Sequence, residues 1–282
     1  MSKIGVIGNG FVGSALIGGF ALSVEKILIY DKDERLSNTT LEKLVDNSEI
    51  IFVCLPTPMN KVGFCDLGII ESTIEKIISF RIDLSNKIFV IKSTIPPGTT
   101  RKLAETYNQI NFVFNPEFLT ERSARLDFIN TSRIVLGGDK QFTNAVESLY
   151  RLKFPFTKII KTDFETAEMI KYMANCFFST KISFMNEMKQ ICDSANADWH
   201  KALEGFMADG RVGNSHVNVP GHDGNHGFGG KCFPKDINAM IYKARELGVN
   251  PTVMSAVWEK NLEVREEHDW LQIPGAVVKE ND

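Results

Sequence analysis

One cysteine of this chain has neighbours that suit a nucleophile. Cys232 lies in the segment Gly227-Phe228-Gly229-Gly230-Lys231-Cys232-Phe233-Pro234-Lys235-Asp236. A thiol attacks only as the thiolate, and nearby ammonium groups or a helix N-terminus lower its pKa. Pro234 favours a helix that starts here, so we expect Cys232 near the positive end of that helix and Asp236, four residues on, on the same face. The alternative is an inert buried thiol, the usual state of a cysteine.

A second candidate site follows the first predicted strand. The glycines of Gly8-Asn9-Gly10-Phe11-Val12-Gly13 permit a tight turn and let a pyrophosphate approach the N-terminus of the next helix. Asp31 lies 18 residues after Gly13, where a carboxylate accepts hydrogen bonds from ribose hydroxyls; the alternative is a solvated turn residue. Because a carboxylate repels a 2′-phosphate, we predict NAD rather than NADP. Lys32, the next residue, is a cation and would instead favour the 2′-phosphate of NADP. We include Lys32 among the predicted cofactor-binding residues.

Two polar residues share one face of a long predicted helix. The segment from Asp163 to about Ala195 has no Gly or Pro and carries apolar residues at helical spacing, with Asp163 or Thr162 as its N-cap. Lys171 and Asn175 are four residues apart in it, and together they can hold a water or a developing oxyanion. A solvated helix face is the alternative.

Other polar side chains follow predicted strands. Glu117 and Glu121 lie in the loop after the fifth strand, where they orient water, contact a cofactor or form a salt-bridged loop. Thr94 ends the fourth strand and offers a hydroxyl to the same crevice, because open α/β sheets bind ligands at the carboxyl ends of their strands. Arg211 is a candidate anion clamp. The histidines have no metal-site spacing and no cysteine pair beside them, so we predict no metal.

Length and composition restrict the class of protein. At 282 residues the chain is long enough for two domains, and its net charge of −3 does not indicate a nucleic-acid or membrane-surface partner. Five scattered cysteines without CxxC spacing are typical of reduced thiols in the cytosol. No signal peptide precedes the first strand, and no apolar run approaches the roughly 20 residues that span a bilayer. We therefore expect a cytoplasmic protein.

The elements that must position these residues alternate between strands and helices. This alternation predicts an α/β fold with an N-terminal, Rossmann-type doubly wound parallel sheet, then a long connecting helix and a mostly α-helical second domain. We place the NAD-binding domain at residues 1–160 and the helical central or dimerisation domain at residues 161–282. The predicted strands are 3–7, 26–30, 50–55, 88–92, 112–115 and 133–137, with a last short run at 158–161.

The motifs together resemble the UDP-glucose/GDP-mannose dehydrogenase family over nearly the whole chain, and more closely its UDP-glucose 6-dehydrogenases. The resemblance rests on seven segments in the family's order: Gly8 to Gly13, Pro56-Thr57-Pro58, Ser93-Thr94-Ile95-Pro96-Pro97-Gly98, Asn115-Pro116-Glu117-Phe118-Leu119, Lys171 to Asn175, Arg211-Val212-Gly213, and Phe228 to Asp236. It implies two successive oxidations of the C6 alcohol of a nucleotide sugar, each of which passes a hydride to one NAD.

The resemblance also implies roles for individual residues. Cys232 would form a thiohemiacetal and then a thioester, Lys171 and Asn175 would steady the oxyanion, and Asp236 with a water would act as base. Glu117 would assist thioester hydrolysis and Thr94 would position the reacting centre. The further residues implied are Pro56, Thr57, Glu121 and Lys235 for the cofactor, and Glu117, Phe118, Leu119, Glu121, Phe228, Gly229, Gly230 and Arg211 for the sugar substrate, Arg211 in a neighbouring subunit's site.

The chain departs from the resemblance in two places. It stops at Asp282, where relatives continue into a domain that binds UDP, so we expect that domain to be missing. Position 231 is Lys where many relatives have a small residue, and its charge would lower the pKa of Cys232 or bind a phosphate. The long helix predicts a homodimer. The alternatives are a β-hydroxyacid dehydrogenase, which has no need of Cys232, and a catalytically silent NAD-binding subunit.

Overall fold

The computed structural model describes residues 3–278, which form two compact units. The first holds residues 3–57 and 67–171, and the second holds residues 58–66 and 172–278. A mostly parallel sheet with helices makes up the first unit, and helices make up most of the second. The predicted α/β fold class is therefore confirmed.

The strands of the first unit lie close to their predicted positions. Residues 3–278 contain seven of them: β1 (Lys3–Ile7), β2 (Lys26–Tyr30), β3 (Ile50–Val53), β4 (Ile88–Ile91), β5 (Asn111–Phe114), β6 (Arg133–Gly137) and β7 (Lys158–Thr162). The helices of this unit before the long one are α1 (Phe11–Phe20), α2 (Leu41–Asn47), α3 (Gly68–Ser79), α4 (Thr99–Thr106), α5 (Ala124–Ile129) and α6 (Lys140–Arg151). The sheet order is β2-β1-β3-β4-β5-β6-β7.

One pairing differs from the predicted all-parallel sheet. β6 runs antiparallel to β5, with Phe114 opposite Gly137, while β7 is parallel to β6. The chain between β5 and β6 holds the six-residue helix α5, which packs on α1 with the rings of Phe128 and Phe20 at 5.9 Å. The connection from β1 to β2 is equally long and leads to a parallel strand, so the length of the chain between β5 and β6 does not explain the reversal.

Alternate strand residues supply two apolar layers. Ile51 and Val53 of β3 belong to one buried cluster, and Ile50 and Phe52 belong to the other. Because successive side chains point to opposite faces of a sheet, a strand covered on both faces must be apolar throughout, as these are. The carboxyl ends of β1 to β5 are thereby held at one edge of a rigid sheet.

The long helix α7 (Phe164–Ser194) has 31 residues and begins next to one of its two predicted caps. Asp163 Oδ1 accepts a hydrogen bond from Thr166 N at 2.7 Å, which satisfies an N–H group of the first turn. The first turns of α7, up to Lys171, belong to the first unit. Phe164 and Ala167 are buried in its core.

The second unit consists of the rest of α7, three further helices and irregular segments. The helices are α8 (Trp199–Met207), α9 (Phe233–Glu246) and α10 (Thr252–Val264). Residues 58–66 pair with the end of the described chain, since Met59 N donates to Ala276 O at 2.9 Å and Val278 N donates to Met59 O at 2.9 Å. None of the helices in residues 3–278 is long and apolar enough to cross a bilayer.

Candidate active site

The glycine-rich loop before α1 has the geometry of a dinucleotide loop. Gly8 has a φ of +93°, and a Cβ atom there would lie 2.6 Å from the carbonyl oxygen of Cys54. A Cβ at Gly13 would lie 2.0 Å from the carbonyl oxygen of Gly8, whereas a Cβ at Gly10 meets nothing within 4 Å. Two glycines are therefore required by packing, and Gly10 leaves open space at the start of α1.

Asp31 lies beside this loop, where the sequence predicted it. Its carboxylate accepts hydrogen bonds from the backbone N–H groups of Asn9 at 2.7 Å and Asp33 at 3.0 Å. Each carboxylate oxygen retains capacity for another hydrogen bond, as ribose hydroxyls would require. The neighbouring Lys32 is exposed. An open helix N-terminus and a carboxylate at the end of β2 fit the pyrophosphate and the ribose of NAD.

The loops after β3 and β4 are joined to each other. Thr57 Oγ1 donates to the carbonyl oxygen of Thr94 at 2.8 Å, and Ser93 Oγ donates to the carbonyl oxygen of Leu55 at 2.6 Å. Thr57 and Thr94 are both buried, and Pro56 between the bonded positions is half-buried. The first unit thus brings together three of the residues predicted to contact the cofactor.

A carboxyl group that the sequence analysis missed holds the start of α4. Glu168 of α7 accepts hydrogen bonds from Gly98 N at 2.6 Å, Thr100 N at 2.8 Å and Thr100 Oγ1 at 2.6 Å. Burial outweighs these donors and raises the pKa of Glu168 to about 7. The bonded partners lie 68 to 70 residues away in sequence, so no local pattern could have revealed this contact.

Glu117 and Lys171 form a buried ion pair in the first unit. The distance from Lys171 Nζ to Glu117 Oε1 is 2.8 Å, and the side chains are 3% and 6% exposed. Burial acts to raise the pKa of Glu117, but the charge of Lys171, its hydrogen bond and that from Leu119 N lower it overall. Glu117 is therefore a carboxylate with its orientation determined by two donors. The alternative of a solvated helix face is wrong for Lys171, which is buried.

The aromatic ring next to Glu117 lies against two cations. The guanidinium of Arg133 is 3.8 Å from the ring centroid of Phe118, and Lys171 Nζ is 5.6 Å from it. Leu119 is half-buried, and Glu121 is exposed in a short 3₁₀ turn. The loop predicted to contact the sugar is thus anchored at Glu117 and reaches solvent at Glu121.

A buried polar cluster behind Glu117 was also missed. Lys92 Nζ donates to Asn115 Oδ1 at 2.9 Å and to the Asn115 carbonyl oxygen at 3.0 Å, and Tyr150 also donates to Asn115 Oδ1. Burial lowers the pKa of Lys92 to about 8. A cavity of about 30 Å³ adjoins Lys92, Asn115, Glu117 and Arg133. Such a volume has room for one or two waters, and Glu117 is among the residues that line it.

In the second unit, Cys232 occupies the N-cap of α9. The helix begins at Phe233 with Pro234 in its first turn, which confirms the helix start predicted from Pro234. Asp236 N donates to the carbonyl oxygen of Cys232 at 3.0 Å, so the cysteine and the aspartate are joined by the first turn of the helix. Cys232 therefore lies at the positive end of the helix dipole.

The side chain of Asp236 is buried and held by two donors. Asn175 Nδ2 donates to Asp236 Oδ2 at 2.6 Å, and Lys235 Nζ bonds to Asp236 Oδ1. Burial acts to lower the pKa of Lys235, but the charges of Asp236, Cys232 and Cys65 outweigh it and raise that pKa. Lys235 is thus a stable cation within electrostatic reach of the Cys232 thiol.

Two other cysteines provide a contrast with Cys232. Burial raises the pKa of Cys54 and of Cys176 to about 12. Cys54 follows β3 and Cys176 lies inside α7, so neither is placed at a helix N-terminus. Both thiols stay protonated at neutral pH and are poor nucleophiles.

The other predicted substrate residues lie in different settings. Phe228 is buried, with its ring 6.2 Å from those of Phe233 and Trp258. A Cβ at Gly230 would meet nothing within 4 Å. Arg211 is exposed and its guanidinium pairs with Asp209 at 2.5 Å. In residues 3–278 no group of three or more His, Cys, Asp or Glu side chains could hold a metal ion.

Comparison with known proteins places these sites in a family. The model for the NAD binding domain of the UDP-glucose/GDP-mannose dehydrogenase family matches residues 31–153, and the model for the central domain of the same family matches residues 165–263. The first match confirms NAD as the predicted cofactor. It includes Asp31, and the second match includes Lys171, Asn175, Cys232 and Asp236.

Individual relatives carry related names. The chain is 34% identical over 301 residues to the UDP-glucose 6-dehydrogenase TuaD of Bacillus subtilis (strain 168), and the match covers 93% of this chain and 63% of TuaD. It is 35% identical to the UDP-glucose 6-dehydrogenase of Rickettsia bellii (strain RML369-C), over 82% of this chain and 53% of that protein. The chain thus spans about half to two thirds of these curated relatives.

A solved structure has the same fold. The UDP-glucose dehydrogenase of the hyperthermophilic archaeon Pyrobaculum islandicum superimposes with a TM-score of 0.82 and 28% identity, over 93% of this chain and 68% of that one.

Proposed function

Because the chain belongs to the UDP-glucose/GDP-mannose dehydrogenase family, we propose that it oxidises the C6 alcohol of a nucleotide sugar to the uronate, with UDP-glucose as the substrate. The observation that carries this proposal is the placement of Cys232 at the N-cap of α9, one turn from the buried Asp236 with its Asn175 and Lys235 partners. A dehydrogenase that stops at the aldehyde has no use for such a thiol.

The cofactor would be held by residues of the glycine-rich loop and the strand ends. These are Gly8, Asn9, Gly10, Phe11, Val12, Gly13, Asp31, Lys32, Pro56, Thr57 and Thr94, with Glu121 and Lys235 as further contacts. When bound, NAD supplies the hydride acceptor for each of the two oxidations. The chain's own contribution is to exclude a 2′-phosphate through Asp31 and to keep the N-terminus of α1 open for the pyrophosphate.

The first part of the proposed mechanism needs a base and an oxyanion holder. Asp236 accepts the alcohol proton through a water, and Lys171 and Asn175 stabilise the developing negative charge on oxygen by donating hydrogen bonds. Thr94 positions the reacting carbon. Lys235 and the N-terminus of α9 stabilise the Cys232 thiolate, which then adds to the aldehyde to form a thiohemiacetal.

The second part needs a base for water. Oxidation of the thiohemiacetal leaves a thioester on Cys232, and the Glu117 carboxylate takes a proton from the water that hydrolyses it. Its low pKa keeps it ionised, and the adjoining cavity has room for water. The thiolate of Cys232 leaves and is ready for another cycle. Phe118, Leu119, Phe228, Gly229, Gly230 and Arg211 would contact the sugar nucleotide.

The test is the amount of NADH released per sugar. We expect two NADH per UDP-glucose, and no net uronate from the Cys232→Ser variant. The matched control is Cys192→Ser, a cysteine on α7 that packs against the cluster of Met185 and Trp199 and has no place in the mechanism. The same assay with GDP-mannose, UDP-N-acetyl sugars and small hydroxyacids distinguishes the substrate classes. If no nucleotide sugar yields NADH under saturating NAD, the proposal fails.

We also propose that two copies of the chain associate through α7. Four apolar residues of this helix are at least half exposed and repeat at spacings of four and seven, which places them on one face: Met173, Phe177, Phe184 and Ile191. We expect Phe184→Glu to yield a monomer in light scattering. Val253→Glu, at an exposed apolar residue of α10, should leave the dimer intact. A wild-type monomer at micromolar concentration would rule the dimer out.

A further inference from the structure

The backbone just before Cys232 is held by a side-chain amide. Asn261 Oδ1 accepts a hydrogen bond from Phe228 N at 2.6 Å, and Asn261 Nδ2 donates to the Phe228 carbonyl oxygen at 3.0 Å. Asn261 lies on α10 and is fully buried. One side chain thus satisfies both backbone groups of a single residue, as a neighbouring strand would.

The backbone N–H groups of Gly227 and Gly230 are also bonded to side-chain oxygens. Gly227 N donates to Asn186 Oδ1 at 3.1 Å, and Gly230 N donates to Asp269 Oδ2 at 2.9 Å. Buried Arg265 stands behind them, and its Nη2 is 2.8 Å from Asp223 Oδ2 and 3.2 Å from Asp269 Oδ1. The loop therefore has a determined backbone path although it contains three glycines.

At two of these positions the supporting side chains occupy the space that a Cβ atom would need. A Cβ at Gly227, where φ is +67°, would lie 2.4 Å from Asn261 Oδ1. A Cβ at Gly229 would lie 2.2 Å from Arg265 Nη2. A Cβ at either position would force the supporting side chains to shift, and the positive φ of Gly227 also favours glycine. Gly227 and Gly229 therefore leave room for the supporting side chains, whereas a Cβ at Gly230 would meet nothing within 4 Å.

The loop is coupled to α9 through the ring of Phe228. That ring packs edge-to-face on Phe233, the residue that follows Cys232, and it lies in a buried cluster with Ile237 of α9 and Val257 of α10. A shift of Phe228 must therefore move the N-terminus of α9, where Cys232 depends on the helix dipole and on Lys235.

We propose that Asn261 is a positioning residue for Cys232: by fixing Phe228 it holds the thiol at the N-cap of α9. This inference rests on the proposed role of Cys232 as nucleophile. Without Asn261 the loop relaxes, Cys232 moves away from the helix N-terminus, and the thiol loses stabilisation of its charged form.

The experiment measures the alkylation of Cys232 by iodoacetamide in the full chain without NAD or sugar, with peptide mass spectrometry to separate it from the other cysteines. We expect the pH midpoint of the reaction to rise by about one unit in Asn261→Ala, which lowers the rate about tenfold at neutral pH. Cys192 in the same protein should react at its wild-type rate.

The matched control is Ser183→Ala. Ser183 Oγ, buried on α7, donates to the carbonyl oxygen of Val257 at 2.9 Å, so this variant also removes a buried hydrogen bond to α10 but leaves the loop's supports in place. We expect wild-type alkylation of Cys232 in it. Equal alkylation in Asn261→Ala and Ser183→Ala would overturn the proposal.

A second variant covers the case in which Asn261→Ala does not fold. Asn261→Asp keeps the acceptor for Phe228 N and loses the donor to the Phe228 carbonyl, so we expect an intermediate midpoint. Unchanged alkylation in this variant would also overturn the proposal. A wild-type protein that yields no NADH, but whose thiol midpoint shifts in Asn261→Ala, refutes the proposed function alone. Two NADH per sugar with unshifted midpoints refutes the positioning role alone.

Discussion

The N-termini of α1 and α4 have the same kind of N-cap residue but different surroundings. Each helix follows a strand of the same sheet, each has a glycine at its N-cap, and neither glycine has a side chain to cap the helix. At α4 the carboxyl group of Glu168 takes the N–H groups of Gly98 and Thr100. At α1 a Cβ placed on Gly10 meets nothing within 4 Å.

The difference separates a structural helix terminus from one suited to a ligand. The first N–H groups of any helix need an acceptor, and a buried terminus without one is unfavourable. α4 receives its acceptor from within the chain, so it belongs to the scaffold that presents Thr94. α1 leaves room for an acceptor from outside, which suits a pyrophosphate.

The largest effect is expected from removal of the internal acceptor at α4. Glu168→Ala leaves two backbone N–H groups and the Thr100 hydroxyl without their partner, and we expect the free energy of unfolding to fall by at least about 3 kcal/mol. Urea denaturation measures it. Glu165→Ala is the control, because Glu165 makes an exposed pair with Arg101 at 2.7 Å and should cost less than about 1 kcal/mol. Similar losses in both variants would contradict the contrast.

A comparable loss of binding is expected at the packed glycine of the α1 loop. Gly13→Ala places a Cβ 2.0 Å from the Gly8 carbonyl oxygen, so the loop must shift, and we expect the dissociation constant of NAD to rise about 100-fold. Calorimetric titration measures it. Gly18→Ala lies on the same helix, where the nearest atoms belong to the flexible Arg125 side chain, and it should bind NAD normally. Wild-type affinity in Gly13→Ala would be the contrary result.

A smaller effect is expected at Gly10, where a substitution should weaken NAD binding without changing the stability of the fold. Gly10→Ala adds a methyl group where nothing lies within 4 Å and where φ is −76°, so the fold should be unaffected. The same methyl would occupy the space of the pyrophosphate, and we expect NAD affinity to fall about tenfold with an unchanged melting temperature. Loss of stability together with affinity would show that α1 is closed in the way that α4 is.

The smallest effect is the pH dependence that Glu168 confers. Its pKa in the folded protein is raised to about 7, and Glu165 one turn away raises it in the same direction, so the folded chain binds a proton that the unfolded chain has already released. The free energy of unfolding should then fall by about 1 kcal/mol per pH unit between pH 5 and pH 6.5, relative to Glu168→Gln. The measurement is urea denaturation of both proteins, and an equal difference in the free energy of unfolding at pH 5 and at pH 6.5 would contradict the raised pKa.

Local patterns sufficed for the elements and the glycine loop. The strands follow from short apolar runs, α7 from a segment without Gly or Pro, and the start of α9 from Pro234. Local patterns did not predict the direction of β6, because pairing direction depends on the path of the connection and on where α5 packs. Local patterns also left open whether Lys171 is exposed, because its partner Glu117 lies 54 residues away.

The amino-acid sequence was enough to predict where strands and helices form, which loop resembles a dinucleotide site, and which cysteine lies at a helix N-terminus. These follow from periodicity, from glycine and proline, and from charges within a few residues. The polar groups that support those sites could be identified only after the chain had folded in three dimensions. Glu168 and Asn261 sit in ordinary helical sequence, and their partners lie 68 and 33 residues away. A buried hydrogen bond is specified by the meeting of two distant segments, so neither segment reveals it alone.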